Sequence, residues 1–147
     1  MLDRITGRWR TGPQSGQAGL GRLRAEKDVS ASQWFFQAHF YQDPVQPGSL
    51  GIEALLQAVQ ALAIELDLGQ GITSPHFETQ AVGVPMRWKY RGQVIPDNEV
   101  VVVDVEITEV KREAQATLVV AEGSLWVDGK RIYEAQGLGV RMVAGVG

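Results

Sequence analysis

Residues 50–67 read LGIEALLQAVQALAIELD, and this stretch decides the predicted fold class. Leu, Ala, Glu and Gln, which are good helix formers, make up most of it. Ser49 is a suitable N-cap before the stretch, and Gly69 and Gly71 supply a stop after it. The apolar residues are spread nearly all round the predicted helix, so we expect the helix to be largely buried in a core.

After this helix the apolar residues alternate with a period of two, which is typical of strands with one face inward. Four predicted strands follow one another: 82–91, 101–108, 116–127 and 131–142. Asp128 and Gly129 form a tight turn between the last two, and connections this short imply antiparallel pairing. The sequence therefore predicts one buried helix packed against an antiparallel sheet, an α+β architecture.

Length, composition and charge exclude several classes of protein. The chain has 147 residues, of which 21% are charged and 44% apolar, as in a single globular domain. A net charge of -3 gives no basic field for nucleic acid, and the lack of cysteine excludes disulfides, thiolate metal sites and a cysteine nucleophile. The first residues lack the apolar core of a signal peptide, and polar residues interrupt the apolar stretch around 50–66. We therefore expect one domain over residues 1–147 that is soluble and cytoplasmic, with a surface loop at 11–21 and no membrane span.

The stretch HFYQDPVQPGSLGIEALLQ, residues 39–57, holds the candidate functional residues. His39 ends an apolar segment and is either a core or loop histidine that donates to a backbone carbonyl, or a general base. Glu53 forms a polar stripe with Gln57 and Gln60 on the helix, and this stripe either faces solvent or belongs to a site. Between them a Pro-Gly bend leads into a helix N-terminus, whose free N–H groups stabilise a polarised carbonyl oxygen. These parts suit the removal of a proton beside a thioester carbonyl and the expulsion of a β-hydroxyl as water.

The same stretch closely resembles the active-site segment of the 3-hydroxyacyl-acyl-carrier-protein dehydratases of the FabA and FabZ kind. In that family a histidine precedes a DPVMPG-like bend, and an acid follows the histidine by fourteen residues, as Glu53 follows His39 here. Other blocks similar to the FabA-like branch lie in order along nearly the whole chain: MLDRI at the start, WKYRGQVIP at 88–96 and VDGKRIYEAQGLGV at 127–140. These blocks are most similar to dehydratase domains embedded in polyunsaturated fatty acid synthases and related polyketide synthases. The chain would suit a piece excised from a larger multidomain chain.

The resemblance implies a hotdog fold, in which the sheet wraps the long helix, and a pairing of two hotdogs with active sites at the shared interface. The pair would be a homodimer or a double hotdog within one polypeptide. His39 would take the proton α to the carbonyl, and Glu53 of the other hotdog would assist departure of the β-hydroxyl. Gly48 would offer its backbone N–H to the thioester oxygen, Val45 would accept from the histidine through its carbonyl, and Gln57 would orient the carboxyl group.

The resemblance also implies that the substrate is carried on the phosphopantetheine arm of acyl carrier protein. No metal or redox cofactor is expected, because loss of water beside an acidified C–H needs only proton transfers. Arg87, Lys89 and Arg91 are either the solvated face of a strand or a surface that meets the acidic carrier protein. His76 is predicted to be a loop residue, since no cluster of histidines or cysteines supports a metal site around it.

Two departures from the family pattern limit what the resemblance implies. FabA-type enzymes usually carry Asp at the acid position and Cys after the glycine of the bend, where this chain has Glu53 and Ser49. Glu is the usual residue in the FabZ branch, so dehydration is predicted and a further trans-2 to cis-3 isomerisation stays open. The alternatives are a hotdog acyl thioesterase and a non-catalytic hotdog partner domain. The histidine in its DPV…PG setting argues against the first, and the presence of both His39 and the acid argues against the second.

Overall fold

The computed structural model describes residues 1–79 and 81–146, which form a seven-stranded antiparallel sheet and a long helix packed against it. The elements, in chain order, are β1 Arg4–Trp9, β2 Arg22–Asp28, α1 Trp34–Ala38, α2 Gly48–Glu65, β3 Pro75–Phe77, β4 Arg87–Tyr90, β5 Val100–Glu113, β6 Ala116–Val127 and β7 Lys130–Ala144. The strands lie in the order β1-β2-β5-β6-β7-β3, and β4 also pairs with β7. Every pair is antiparallel, so the predicted α+β architecture is confirmed.

The core lies between α2 and the sheet. On β5, Val101, Val103, Val105 and Ile107 are buried and the residues between them are only half-buried, which confirms the predicted period of two. Leu55 of α2 is fully buried in the same cluster. Each such side chain contributes roughly 1.5–3 kcal/mol when it is removed from water. This apolar layer therefore holds α2 in a fixed position relative to β5, β6 and β7.

The bounds of α2 differ from the prediction. The helix spans Gly48–Glu65 instead of 50–67, and Ser49 lies inside its first turn, so the predicted N-cap is wrong. Pro47 occupies the N-cap position with φ −51°, and the fixed φ of proline and its lack of an N–H suit a helix start. At the other end Asp67 adopts a positive φ of 53°, before the predicted glycine stop is reached. A short polar side chain tolerates this left-handed conformation, so the helix ends earlier than expected.

Helix α2 is buried on one side only. Glu53 is exposed, and Ile64 on the last turns keeps 66% of its surface exposed. Gln57 and Gln60 are half-buried. The prediction of a largely buried helix therefore holds for the face toward the sheet and is wrong for the opposite face. Among the residues that the structure describes, no helix is long and apolar enough to cross a membrane.

The strand predicted at 82–91 is much shorter in the structure. Only Arg87–Tyr90 pairs with β7, and all four residues are exposed. Trp88 and Tyr90 nevertheless pack on the buried ring of Tyr133, so these two residues keep the predicted inward face. Pro85 lacks the N–H that a ladder requires, which explains why pairing begins after it. His76 lies in the short strand β3, opposite Val143 of β7, and not in a loop.

Strands β1 and β2 were not expected from the sequence. Their segments RITGRW and RLRAEKD are rich in charge, and in β2 only Leu23 and Ala25 are buried. Pairing with the long strand β5 determines the conformation of β2, and propensity does not. The segment 11–21 between β1 and β2 is a loop as predicted, although Ser15 within it is fully buried.

Candidate active site

His39 lies at the C-terminal end of α1, where the chain enters a bend of residues 39–47. Phe35 and Phe36 bury their rings in the core and anchor α1. The N–H of Val45 donates to the carbonyl of His39 at 2.7 Å, and Nδ1 of His39 lies 2.9 Å from the carbonyl oxygen of Val45. The two contacts close the bend and hold the half-buried imidazole in one orientation.

The contact with Val45 decides which nitrogen of His39 carries the proton. A carbonyl oxygen only accepts hydrogen bonds, so Nδ1 must be protonated to make this contact. In the neutral imidazole the proton-free nitrogen is then Nε2, which keeps its lone pair. The ring of Phe40 stacks on the imidazole with 3.9 Å between the ring centroids. The geometry therefore leaves Nε2 as the nitrogen that can accept a proton from a bound molecule.

The bend leads directly into the N-terminus of α2, and among residues 1–79 and 81–146 no side chain caps this helix end. The first N–H groups of a helix have no intrahelical partner and carry a partial positive charge. Trp88 and Tyr90 pack beside Gly48, where an added Cβ would lie 3.1 Å from the indole of Trp88 and 3.3 Å from the ring of Tyr90. The first turn of α2 thus offers N–H donors suited to a carbonyl oxygen next to an aromatic wall.

Glu53 is exposed on α2, and Gln57, one turn farther along, is half-buried. Gln57 lines an open groove of about 650 Å³ between α2 and the N-terminal strand β1. Within residues 1–79 and 81–146, the imidazole of His39 bonds to Val45, and no hydrogen bond joins it to Glu53. One chain therefore joins His39 to Val45 in the bend that leads to Gly48, and Glu53 and Gln57 follow farther along α2.

A second group of titratable residues lies on the face of the sheet that points away from α2. Arg22 binds Asp104 through two hydrogen bonds of 2.7 and 2.6 Å, and Glu106 lies opposite Glu122 across β5 and β6. Burial raises the pKa of Glu122, and its contact with Glu106 raises it further. These residues line a groove of about 620 Å³ whose walls come from strands of the sheet. In the part of the chain that the structure describes, no group of three or more His, Asp or Glu side chains could hold a metal ion.

Arg87 and Lys89 of β4 are exposed, and so is Arg91, which follows this strand. This exposure is expected if the three residues form the solvated face of a strand. Lys89 and Arg91 lie 3.7 and 3.4 Å from the carboxylate of Glu134, which also binds Arg131 at 2.7 Å. Three cations therefore share one carboxylate, and Arg87 is a further exposed cation on β4. The surface is positively charged, and its contact with a carrier protein stays a prediction.

Solved structures with a similar fold define the class of the protein. A dehydratase heterocomplex from Xenorhabdus doucetiae gives a TM-score of 0.59 at 11% identity, and the match covers 99% of this chain and 82% of the other. A hypothetical thioesterase with coenzyme A from Streptococcus pneumoniae gives a TM-score of 0.51 at 13% identity, covering 84% of this chain and 79% of the other. At these identities the likeness shows the fold alone, and the class is that of the hotdog proteins.

Within that class the sequence identifies the family. A family model for the FabA-like domain matches residues 1–136, and the chain belongs to this FabA-like family. The chain is also 41% identical, over 133 residues and 89% of its length, to one of the subunits of a polyunsaturated fatty acid synthase from a Thraustochytrium species. It spans 9% of the length of that relative. The family resemblance carried by the blocks of sequence is confirmed.

Proposed function

We propose that this chain removes water from 3-hydroxyacyl thioesters on acyl carrier protein and gives trans-2-enoyl thioesters in fatty acid or polyketide synthesis. The observation that carries the proposal is the bend, which holds Nδ1–H of His39 on the carbonyl of Val45, leaves Nε2 proton-free and leads directly into the N-terminus of α2. A base beside N–H donors is what abstraction of a proton α to a thioester requires. Membership of the FabA-like family and the similarity to part of a fatty acid synthase support the same chemistry.

In the first step of the proposed reaction, Nε2 of His39 takes the α proton. The electron pair of the broken C–H bond moves toward the carbonyl, and negative charge develops on the thioester oxygen. Gly48 donates its backbone N–H to that oxygen, and loss of one such donor typically lowers kcat by about 10²–10³-fold. The carbonyl oxygen of Val45 continues to accept the hydrogen bond from Nδ1–H and stabilises the imidazolium that forms.

In the second step the bond between the β carbon and its hydroxyl breaks while the carbon–carbon double bond forms. Glu53, in its protonated form, gives a proton to the leaving hydroxyl, which departs as water. His39 has then gained one proton and Glu53 has lost one, so a proton must return from one to the other before the next turnover. Gln57, one helical turn beyond Glu53, would orient the carboxyl group.

The exposed position of Glu53 supports a site shared by two hotdogs. Within one chain the carboxylate lies on the outer face of α2 and is not joined to His39. Large apolar side chains near His39 are also exposed, with 67% of Trp34, 59% of Phe40 and 90% of Tyr41 open to solvent. Such exposed apolar surface is expected at an interface. We therefore place Glu53 of a second hotdog opposite His39, in a homodimer or in a double hotdog.

None of these steps requires a metal or redox cofactor, because they consist of proton transfers and the loss of a hydroxyl. The substrate would arrive on the phosphopantetheine arm of acyl carrier protein, and the cations Arg87, Lys89 and Arg91 are complementary to an acidic partner. The single domain over residues 1–147, a cytoplasmic location and any isomerisation of the product stay predictions.

Mass spectrometry of the carried acyl group tests the proposal. A 3-hydroxyacyl group on acyl carrier protein is incubated with wild type, His39→Ala and Glu53→Gln, each shown to be folded by circular dichroism. We expect loss of one water with the wild type and a loss that is about 10²–10⁴-fold slower with either variant. Release of free acid would favour the hotdog acyl thioesterase, and no reaction with any chain length would favour a non-catalytic partner domain.

A further inference from the structure

Tyr133 of β7 reaches from the sheet to the first turn of α2. Its phenol oxygen donates a hydrogen bond of 3.0 Å to the carbonyl oxygen of Gly48, the first residue of the helix. The side chain keeps only 2% of its surface exposed. In an α-helix the N–H of residue i+4 donates to the carbonyl of residue i, so the oxygen of Gly48 also receives the N–H of Ile52. The carbonyl oxygen of Gly48 thus connects the start of α2 to the sheet and also to the next turn of the helix.

Gly51 makes room for this contact. An added Cβ at Gly51 would overlap the ring of Tyr133 and lie 2.7 Å from its phenol oxygen. Glycine inside a helix destabilises it by about 1 kcal/mol relative to alanine, so its presence in a first turn needs a packing reason. Together Gly48 and Gly51 give the helix a face without side chains, and Tyr133 packs against that face.

The position of Tyr133 itself is fixed by the sheet. Its backbone pairs with Leu125 of β6 on one side and with Tyr90 of β4 on the other. The rings of Trp88 and Tyr90 pack on the Tyr133 ring, with 5.3 and 5.1 Å between centroids. Because backbone and ring are both held, the phenol cannot follow a helix that shifts.

The phenol also stays a donor over the whole working range of pH. Burial raises the pKa of Tyr133 far above its ordinary value, and the neighbouring Tyr90 adds to this. A protonated phenol gives one hydrogen bond, and the carbonyl of Gly48 is its recipient. The phenol therefore keeps the proton that it donates to Gly48 at neutral pH.

We propose that Tyr133 is a positioning residue, which holds Gly48 and the first turn of α2 in the orientation that presents the Gly48 N–H to the thioester oxygen. The role rests on the proposed dehydration for its effect on rate. The anchoring itself does not depend on the reaction. A donor that is displaced by a fraction of an ångström loses much of its effect on a developing charge, and misplacement by about 1 Å can lower a rate by about 10²-fold.

The test compares Tyr133→Phe with Ser15→Ala. Tyr133→Phe keeps the ring and removes the hydroxyl. Ser15→Ala removes another buried hydroxyl, which donates to the carbonyl of Gly12 at 2.7 Å in the loop between β1 and β2. Steady-state dehydration of carrier-bound 3-hydroxyacyl chains gives kcat and KM, thermal unfolding gives Tm, and hydrogen exchange followed by NMR reports the Ile52 amide.

We expect Tyr133→Phe to lower kcat by about tenfold to a hundredfold with KM changed less than about threefold, because the ground-state contacts of the substrate are kept. The Ile52 amide should exchange faster in this variant, and Ser15→Ala should change neither kcat nor the exchange rate of this amide. An unchanged kcat in Tyr133→Phe, or an equal loss in Ser15→Ala, would overturn the role in positioning. If the wild type shows no dehydration, the proposed function fails. The exchange rate of the Ile52 amide still tests whether Tyr133 holds the first turn of α2. An unchanged rate in Tyr133→Phe would overturn that anchoring.

Discussion

The bend at 39–47 and the exposed face of α2 carry the two halves of the candidate site, and they are held in opposite ways. In the bend, His39 and Val45 are joined by two hydrogen bonds, and the N–H of Gln46 donates to the carbonyl of Val94 at 2.9 Å. On the exposed face, Glu53 points to solvent. Half of the site is therefore fixed by this chain alone, and we propose that a second hotdog sets the position of the other half relative to it.

The difference follows from the charge of the two groups. A neutral imidazole can be partly buried at little cost when a carbonyl oxygen accepts a hydrogen bond from its N–H. A carboxylate without a partner is far more costly to bury, so in a single chain it stays in water. We infer that burial of Glu53 is left to pairing, when the second hotdog covers it.

The largest expected effects come from removing each half. His39→Ala and Glu53→Gln should each lower kcat for water loss by about 10²–10⁴-fold, the usual contribution of a general acid or base. Their effects on stability should differ. His39→Ala leaves the buried Val45 carbonyl without its partner, and a loss of about 1 kcal/mol would lower Tm by about 2–4 °C. Glu53→Gln changes a side chain that is exposed in the separate chain to one of the same size, and it should shift the free energy of unfolding of the separate chain by less than about 0.5 kcal/mol.

Activity is measured by mass spectrometry of the carried acyl group and Tm by circular dichroism. Equal losses of Tm in the two variants would contradict the contrast between a fixed bend and an open helix face.

A smaller effect is expected at Gly51, where Tyr133 of the sheet packs against the start of α2, next to the bend. Gly51→Ala places a Cβ against the ring of Tyr133, and overpacking of this kind costs about 1–3 kcal/mol. Tm should fall by about 2–12 °C in differential scanning calorimetry. Ser49→Ala, at an exposed position of the same turn, is the matched control and should leave Tm nearly unchanged. A Gly51→Ala variant as stable as wild type would show that Tyr133 does not pack against this turn.

The smallest effect concerns Glu122, which lies on the outer face of the sheet and outside both halves of the site. Its pKa is raised in the folded state, first by burial and then by Glu106, so the folded chain binds more protons than the unfolded chain. Stability therefore falls as pH rises from the ordinary glutamate pKa through the folded value. Glu122→Gln removes the like-charge contact and should raise the free energy of unfolding at pH 7 by about 0.2–1 kcal/mol.

Urea unfolding at pH 7 and at pH 4 checks this, and the gain should disappear at pH 4, where the wild-type carboxyl is protonated. The rate of water loss at pH 7 should not change, and a lower rate would mean that the outer face is coupled to the bend.

The sequence predicted the parts of the fold that local periodicity determines. The long helix and the strands β5, β6 and β7 follow from apolar spacing, and the structure contains all four, although β5 runs to Glu113, five residues beyond its predicted end at 108. The start of α2 was misplaced because Pro47 and Gly48 begin the helix beside Trp88 and Tyr90, a contact between distant parts of the chain. Strands β1 and β2 were missed because pairing with β5 outweighs their charged composition.

The candidate site divides in the same way. The contact between His39 and Val45 lies within one short motif, so family resemblance could predict it, and the structure contains it. Tyr133 binds Gly48 across 85 residues of sequence, and no local pattern signals such a contact. Its signal is indirect: a glycine at position 51, inside a helix, marks a place where another part of the chain approaches closely.

Complementation between the two halves tests the shared site most directly. His39→Ala and Glu53→Gln chains are expressed separately, mixed in equal amounts, unfolded and refolded together, and mixed dimers are verified by native mass spectrometry. If each site takes His39 from one chain and Glu53 from the other, half of the dimers are mixed and each mixed dimer has one intact site, so about a quarter of the wild-type rate of water loss should return. A mixture that contains mixed dimers and recovers no activity would contradict a site built from two hotdogs.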